Sequence, residues 1–152
     1  METTFSIISL IIAVMSFVFA IVNFIFCIIR QRKQDTIDAF SALQSESLGQ
    51  LNAYSPKRIK EISEDPHSAE YKTLSVLLAR CEHFSVGVSE GIYDKKVLTK
   101  LAGRYFVGLY YKLEPMILKK RSLGQKENYY SEFEKVSKYI LKRLSKNKRR
   151  ED

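Results

Sequence analysis

The sequence has 152 residues, 25 Lys and Arg against 17 Asp and Glu, and two cysteines, Cys27 and Cys81, with no CxxC partner and no neighbouring pair of histidines. Nothing in it indicates a disulfide framework, the usual zinc spacing is absent, and a reducing compartment fits. Only Glu2 among the charged side chains precedes Arg30, so the stretch from Arg30 onward carries 25 − 16 = +9, a balance that suits anionic lipid headgroups first and nucleic acid second.

Residues 1–4 read as a short external N-terminus and residues 5–29 as a transmembrane helix. Phe5 to Ile29 contains no charged side chain, and Ser6, Ser9, Ser16 and Asn23 are its main polar interruptions. As a helix it spans on the order of 37 Å, enough to cross a ~30 Å hydrocarbon core with some tilt. A cleaved signal peptide fits less well. The start is acidic, the apolar run is too long, and Phe26-Cys27-Ile28-Ile29 is too bulky for a cleavage site. Arg30, Arg32 and Lys33 come directly after it, which predicts N-terminus out and C-terminus in the cytoplasm, as a single-pass protein.

The small and polar residues of this segment fall in one register. Ser6, Ser9, Ala13, Ser16, Ala20, Asn23 and Cys27 are separated by steps of 3, 4, 3, 4, 3 and 4, a heptad-like seam on one helix face. Ile8, Ile12, Phe19, Val22 and Phe26 occupy the other faces and suit lipid. Small residues let two backbones approach, and Ser and Asn hydrogen-bond across helices. The seam predicts a homo-oligomer through this helix. Three serines and one Asn make a poor water path, which favours a closed bundle over a pore.

Residues 30–54 read as a juxtamembrane helix continuing from the first, with Ile37, Phe40, Leu48 and Leu51 on its apolar side. Residues 55–145 read as a helical domain. Ser55-Pro56 and Asp65-Pro66 are expected to open two helices, and Asp94 to cap a third. Tyr71, Leu74, Leu77, Leu78, Cys81, Phe84 and Val88 keep three-four spacing. Gly87 and Gly91 are expected to bracket a turn. Val97, Leu98, Leu101, Tyr105, Leu109 and Leu113 repeat the spacing, and Pro115 is expected to kink or end that helix. Lys119, Lys120 and Arg121 suit its C-terminus, with Gly124 just past it. Tyr130, Phe133, Ile140 and Leu144 mark a last amphipathic helix. Period-two alternation is absent, so the fold class is all-α: a single N-terminal transmembrane helix followed by a cytoplasmic antiparallel helical bundle. Residues 146–152 form a basic tail whose Lys146, Lys148, Arg149 and Arg150 extend the run begun by Lys142 and Arg143. With Arg30, Arg32 and Lys33 they are candidates for the membrane surface, although a frayed, solvated helix end is the first reading of the tail and lipid adhesion the second. No aromatic interleaving beyond Tyr139 offers a base-stacking platform, which argues against nucleic acid.

Chemistry is sparse. His67 and His83 are the only histidines, and the phosphate-loop, GxSxG, HExxH and EF-hand patterns are absent, as is the Arg-x4–6-His spacing of helical ribonucleases. Glu82 and His83 are adjacent and point about 100° apart on a helix, so they cannot readily serve one proton. His83 is expected to be buried or interfacial and hydrogen-bonded to a neighbouring helix. No enzyme activity, cofactor or metal is expected.

The stretch Glu82-His83-Phe84-Ser85-Val86-Gly87-Val88-Ser89-Glu90-Gly91-Ile92-Tyr93-Asp94 resembles the central motif of an uncharacterised bacterial family, domain of unknown function 4760. Pro115, Arg121 and Tyr130-x-x-Phe133-Glu134 resemble its second block. The resemblance covers roughly the second half of the soluble part. It implies a bacterial or phage origin, hence an inner-membrane location, and one membrane helix followed by a helical cytoplasmic domain, with no established activity. In the motif itself, Glu82, His83, Gly87, Gly91, Asp94 and Arg121 read as structural residues: a helix end, a Gly turn, an Asp cap and a Glu82–Arg121 pair across the bundle. The functional expectation is a non-enzymatic membrane-anchored protein that binds a partner or itself. The alternative is a bacterial defence or toxin-type effector that oligomerises and perturbs the bilayer.

Overall fold

The computed structural model describes residues 2–124 and 128–148; side chains at 2–4, 46–48, 50 and 147–148 are outside the description. Five helices and no strand make up the described residues: α1 (Glu2–Asn52), α2 (Pro56–Glu64), α3 (Ala69–Ser89), α4 (Lys95–Gly124) and α5 (Ser131–Lys148). The chain is an all-α bundle with one long apolar helix at its start.

α1 is a single helix of 51 residues, about 75 Å long. No proline interrupts it and its only glycine is Gly49, so the apolar segment runs without a break into the second half of the helix. Every described side chain from Phe5 to Asp35 is exposed, and the helix is long and apolar enough to cross a membrane. From Thr36 on the helix enters the bundle: Thr36, Phe40, Leu43 and Leu51 are buried. Ile37, expected on that side, is 36 % exposed, because the core face runs through Thr36, Phe40 and Leu43 at steps of four and three. The side chain of Leu48 lies outside the described residues. The segment read as a juxtamembrane helix is thus one wall of the core.

Ser55 caps α2 by accepting from the Arg58 amide at 3.2 Å, with Pro56 at its start. Asp65-Pro66 does not open α3. Asp65 terminates α2, its Oδ1 accepts from the His67 amide at 3.1 Å, and Ser68 caps α3 through the Tyr71 amide at 3.1 Å. In α3, Leu74, Leu77, Leu78, Cys81, Phe84 and Val88 are buried. Burial pushes the Cys81 thiol up to about 12.

α4 continues through Pro115 and ends at Gly124; its non-helical residue is Ala102, at φ −143° and ψ 18°. Pro115 deprives the Tyr111 carbonyl of its helical donor, and Tyr111 is 51 % exposed, where water can replace that donor. The break at Ala102 rotates the inward face. Leu98 is buried before it; Phe106, Leu109, Tyr110, Leu113, Met116 and Ile117 after it; and Leu101, expected inside, is 50 % exposed. The core centres on Phe106, whose ring centroid lies 6.4 Å from Phe40 of α1, 5.8 Å from Phe84 of α3 and 5.1 Å from Phe133 of α5. This one aromatic side chain therefore joins its own helix to three others.

The polar contacts fix directions. The Asp94 amide donates to Thr36 Oγ1 at 2.7 Å, and Lys112 Nζ donates to the Leu51 carbonyl at 2.7 Å, so α4 runs alongside α1 in the same sense. The second contact supplies a cation to the C-terminus of α1, whose last turn has no basic residue. α5 runs against α4: Arg121 meets Glu134 at 2.8 Å, while Ile140 abuts Gly103. The C-terminal end of α5 therefore returns to the end of the bundle that α1 enters.

Candidate functional site

The stretch from Glu82 to Asp94 forms the end of α3 and the turn into α4, and its residues hold three helices in place. Glu82 is the N-cap of a different helix: its Oε1 accepts from the Glu132 amide at 3.2 Å and its Oε2 from the Phe133 amide at 2.8 Å. The residue before α5, Tyr130, sits at φ 59°, and its carbonyl accepts from the Glu134 amide. A tyrosine has no short oxygen with which to cap the first turn, so a carboxylate from α3 takes that place. Ser89 Oγ adds a bond to Glu132 Oε2 at 2.6 Å. The Lys135 ammonium first, then Ser89, holds the Glu132 carboxyl below its usual range.

Gly87 does not begin a turn. It is a buried residue inside α3, and an added Cβ would lie 2.6 Å from the Tyr93 ring. Its missing side chain lets Tyr93 fold back, with the Tyr93 amide donating to the Gly87 carbonyl at 3.1 Å and the ring stacking on Phe84 at 5.1 Å. Gly91, at φ 76°, makes the expected turn. Asp94 caps α4 through the Lys96 and Val97 amides at 2.7 and 3.1 Å. Thr36 Oγ1, besides accepting from Asp94, donates to the Arg32 carbonyl at 2.7 Å, so one buried hydroxyl ties this turn to α1.

This turn stands beside the point where the apolar segment ends. Ile28, Gln31, Arg32 and Asp35 of α1 line an open hollow of about 330 Å³ together with Glu90, Gly91 and Ile92. Arg30, Arg32 and Lys33 are exposed there. A second basic group, Lys96, Lys100 and Arg143, surrounds Tyr139 where α4 starts and α5 ends, and Lys146 lies exposed one turn further on. The side chain of Lys148, and Arg149 and Arg150 altogether, lie outside the described residues.

The family model for Domain of unknown function (DUF4760) matches residues 9–139. The chain belongs to this family. The match exceeds the expected second half of the soluble part: it takes in most of the apolar segment, all of α2 to α4 and α5 as far as Tyr139. No curated protein and no solved structure matches the chain.

Two further expectations change in this DUF4760 member. His83 is exposed rather than buried, and among the described residues it makes no hydrogen bond to a neighbouring helix. It borders a shallow groove between α1 and α3 with Ala39, Ala42, Leu43, Arg80, Phe84 and Tyr93, because the inward face of α3 passes through Cys81, Phe84 and Ser85 on either side of it. Glu82 and Arg121 do not pair. Arg121 Nε donates to the Tyr129 carbonyl at 2.9 Å and its terminal nitrogen to Glu134 Oε2 at 2.8 Å, so the two residues secure one helical start from separate sides. Lys138 first, then Arg121, lowers the Glu134 carboxyl. His67 is exposed. Among the described residues no three His, Cys, Asp or Glu side chains gather as a metal ligand set. Ser6, Ser9, Ala13, Ser16, Ala20, Asn23 and Cys27 are all exposed along α1. The burial of Thr36 and the capping role of Glu82 are not foreseen from the sequence. Only the four-three step from Thr36 through Phe40 to Leu43 signals the first, and nothing local signals the second.

Proposed function

We propose that this protein is a bacterial single-pass inner-membrane protein in which α1 crosses the bilayer, N-terminus outside, and carries a helical binding domain on the cytoplasmic side. It acts by self-association and by engaging a protein partner, without catalysis. Arg30, Arg32 and Lys33 at the end of the apolar segment support that orientation, and they face anionic headgroups together with the basic end of α5.

The observation that carries self-association is the unbroken course of α1. In one continuous helix the rotational phase passes from the apolar half to the bundle half. Ser16, Ala20 and Asn23 then lie roughly 160° around the helix from Thr36, Phe40 and Leu43. The bundle hangs on the side of α1 opposite the seam, and two chains can meet along the seam without their domains colliding. The same face continues below the apolar segment through Gln34, Ile37 and Ser41, of which Gln34 and Ser41 are exposed and Ile37 is 36 % exposed.

Cysteine crosslinking in native membranes tests this. With Cys27→Ser as background, Ser9→Cys, Ser16→Cys, Asn23→Cys and Ser41→Cys are expected to crosslink between chains, and Ile11→Cys and Val18→Cys on the opposite face are not. Equal crosslinking on both faces, or none on either, removes the seam. Induced expression is expected to leave growth and membrane potential intact; a rapid collapse of the potential means instead an effector that perturbs the bilayer.

A further inference from the structure

The turn between α3 and α4 exposes an apolar side chain that the fold does not use. Ile92 is 61 % exposed, although both of its neighbours are fixed. Gly91 takes the left-handed conformation. Tyr93 turns inward onto Phe84, and Asp94 is bonded through its amide to the buried Thr36. The turn is therefore held rigidly against α1 with Ile92 as its outward tip. That tip shares a hollow with Ile28, in the last turn of the apolar segment, and with Gln31 and Arg32 just past it. Past Asp94 and the half-buried Lys95, Lys96 and Lys100 are exposed, and both belong to the basic group around Tyr139.

We propose that Ile92 is a second point of attachment to the bilayer, dipping into the headgroup–acyl boundary of the leaflet from which α1 emerges, with Lys96 and Lys100 set against anionic headgroups. The inference rests on α1 crossing the membrane. An apolar tip level with the end of an apolar helix, with Arg32 in the same hollow and Lys96 and Lys100 in the next helix, has the composition of an interfacial anchor. Asp35 and Glu90 share the hollow and oppose anionic lipid, so insertion of Ile92 is the contact that holds, and the lysines add to it. Two attachment points, one spanning and one superficial, fix the tilt of the bundle relative to the leaflet. They also keep the free face of α1 turned toward a second copy.

The test uses the full chain in phosphatidylcholine–phosphatidylglycerol vesicles with an environment-sensitive fluorophore on a single reactive cysteine. Cys27→Ser removes the exposed thiol, and the buried Cys81 stays in place. Three variants are labelled: Ile92→Cys, Val18→Cys in the apolar segment, and Val76→Cys on the exposed side of α3. At Ile92 the emission is expected to shift to the blue, and spin-labelled lipids carrying the nitroxide near the headgroup are expected to quench it several-fold more than at Val76. At Val18, lipids labelled deep in the chain are expected to quench most. Quenching at Val18 with water-like, unquenched emission at Ile92 overturns the anchor and leaves the membrane helix standing. Blue-shifted emission at Ile92 that no spin-labelled lipid quenches also overturns it and assigns the tip to a protein contact. Absence of quenching at Val18 overturns the membrane-spanning reading itself.

Discussion

Glu82 reaches from α3 to the first turn of α5 and accepts two of its free amides, at 3.2 and 2.8 Å. Hydrogen bonds to a charged acceptor contribute roughly 1.5–3 kcal/mol, and a carboxylate at a helix start gains about 0.3–1 kcal/mol from the helix dipole. Glu82→Gln keeps one acceptor oxygen, loses the charge and turns an N–H toward an N–H. It is expected to cost about 1–2 kcal/mol, read as a lowered unfolding midpoint of the full chain in detergent. A change within about 0.5 kcal/mol, the ordinary range for surface substitutions, means that the cap does not hold α5. Gly87 is decided by the same kind of comparison. Alanine there gains about 1 kcal/mol in helix propensity, but its Cβ would press into a Tyr93 ring already stacked on Phe84, at a strain of about 1–3 kcal/mol. The close approach of Tyr93 outweighs the propensity, and glycine is the residue that fits.

Within α4 the break at Ala102 decides which residues form the core. Unbroken three-four spacing leads from Leu98 to Leu101, Tyr105 and Leu109. The break leaves Leu101 exposed and Tyr105 half-buried and brings Gly103, Phe106, Val107 and Tyr110 into the buried set, in which Leu109 remains, and Gly103 lets Ile140 of α5 come within 3.0 Å of where a Cβ would stand. Two residues of one helix therefore separate sharply. Phe106→Ala is expected to cost about 3–5 kcal/mol, because a ring shared by four helices leaves a cavity that no single element can close. Leu101→Ala is expected to stay within about 0.5 kcal/mol. Chemical denaturation of the two variants checks the pair, and equal losses mean that the helix is straight through Ala102.

For the molecule as a whole, the direction of α5 matters most, since it carries Lys142, Arg143 and Lys146 back to the end of the bundle that α1 enters. Replacing Lys146, Lys148, Arg149 and Arg150 with Gln is expected to leave the fold intact, because these residues lie beyond the last core-packed position, Leu144. Circular dichroism checks that point. Binding of a fragment spanning residues 30–152, which keeps the core half of α1, to anionic liposomes is expected to fall tenfold or more at low salt. Each cation near such a surface contributes up to about 1 kcal/mol, and salt screens it. An unchanged affinity at low salt takes the tail out of the lipid contact. The exposed ion pairs, such as Arg58–Glu70 with 48 % and 39 % of the two side chains exposed, contribute little by comparison.

The sequence by itself determined the features that short-range physics governs. The charge-free run from Phe5 to Ile29, the all-helical character, the caps at Ser55 and Asp94 and the turn at Gly91 each depend on residues within a few positions of one another. The buried face of α3 was legible for the same reason, its period being unbroken from Leu74 to Val88. Tertiary structure decided whatever depends on a partner far along the chain. Asp65-Pro66 suits a helix start, but Ser68 supplied the cap. His83 stands among core positions in sequence but faces solvent, because its neighbours Cys81, Phe84 and Ser85 took the inward directions. Thr36 looks like a polar interruption, and its burial comes with an amide fifty-eight positions away. Glu82 found its amides on α5, fifty and fifty-one positions on, and Arg121 found Glu134 instead of Glu82. A carboxylate or a hydroxyl can satisfy many donors equally well, and only the packed bundle brings one of them within about 3 Å.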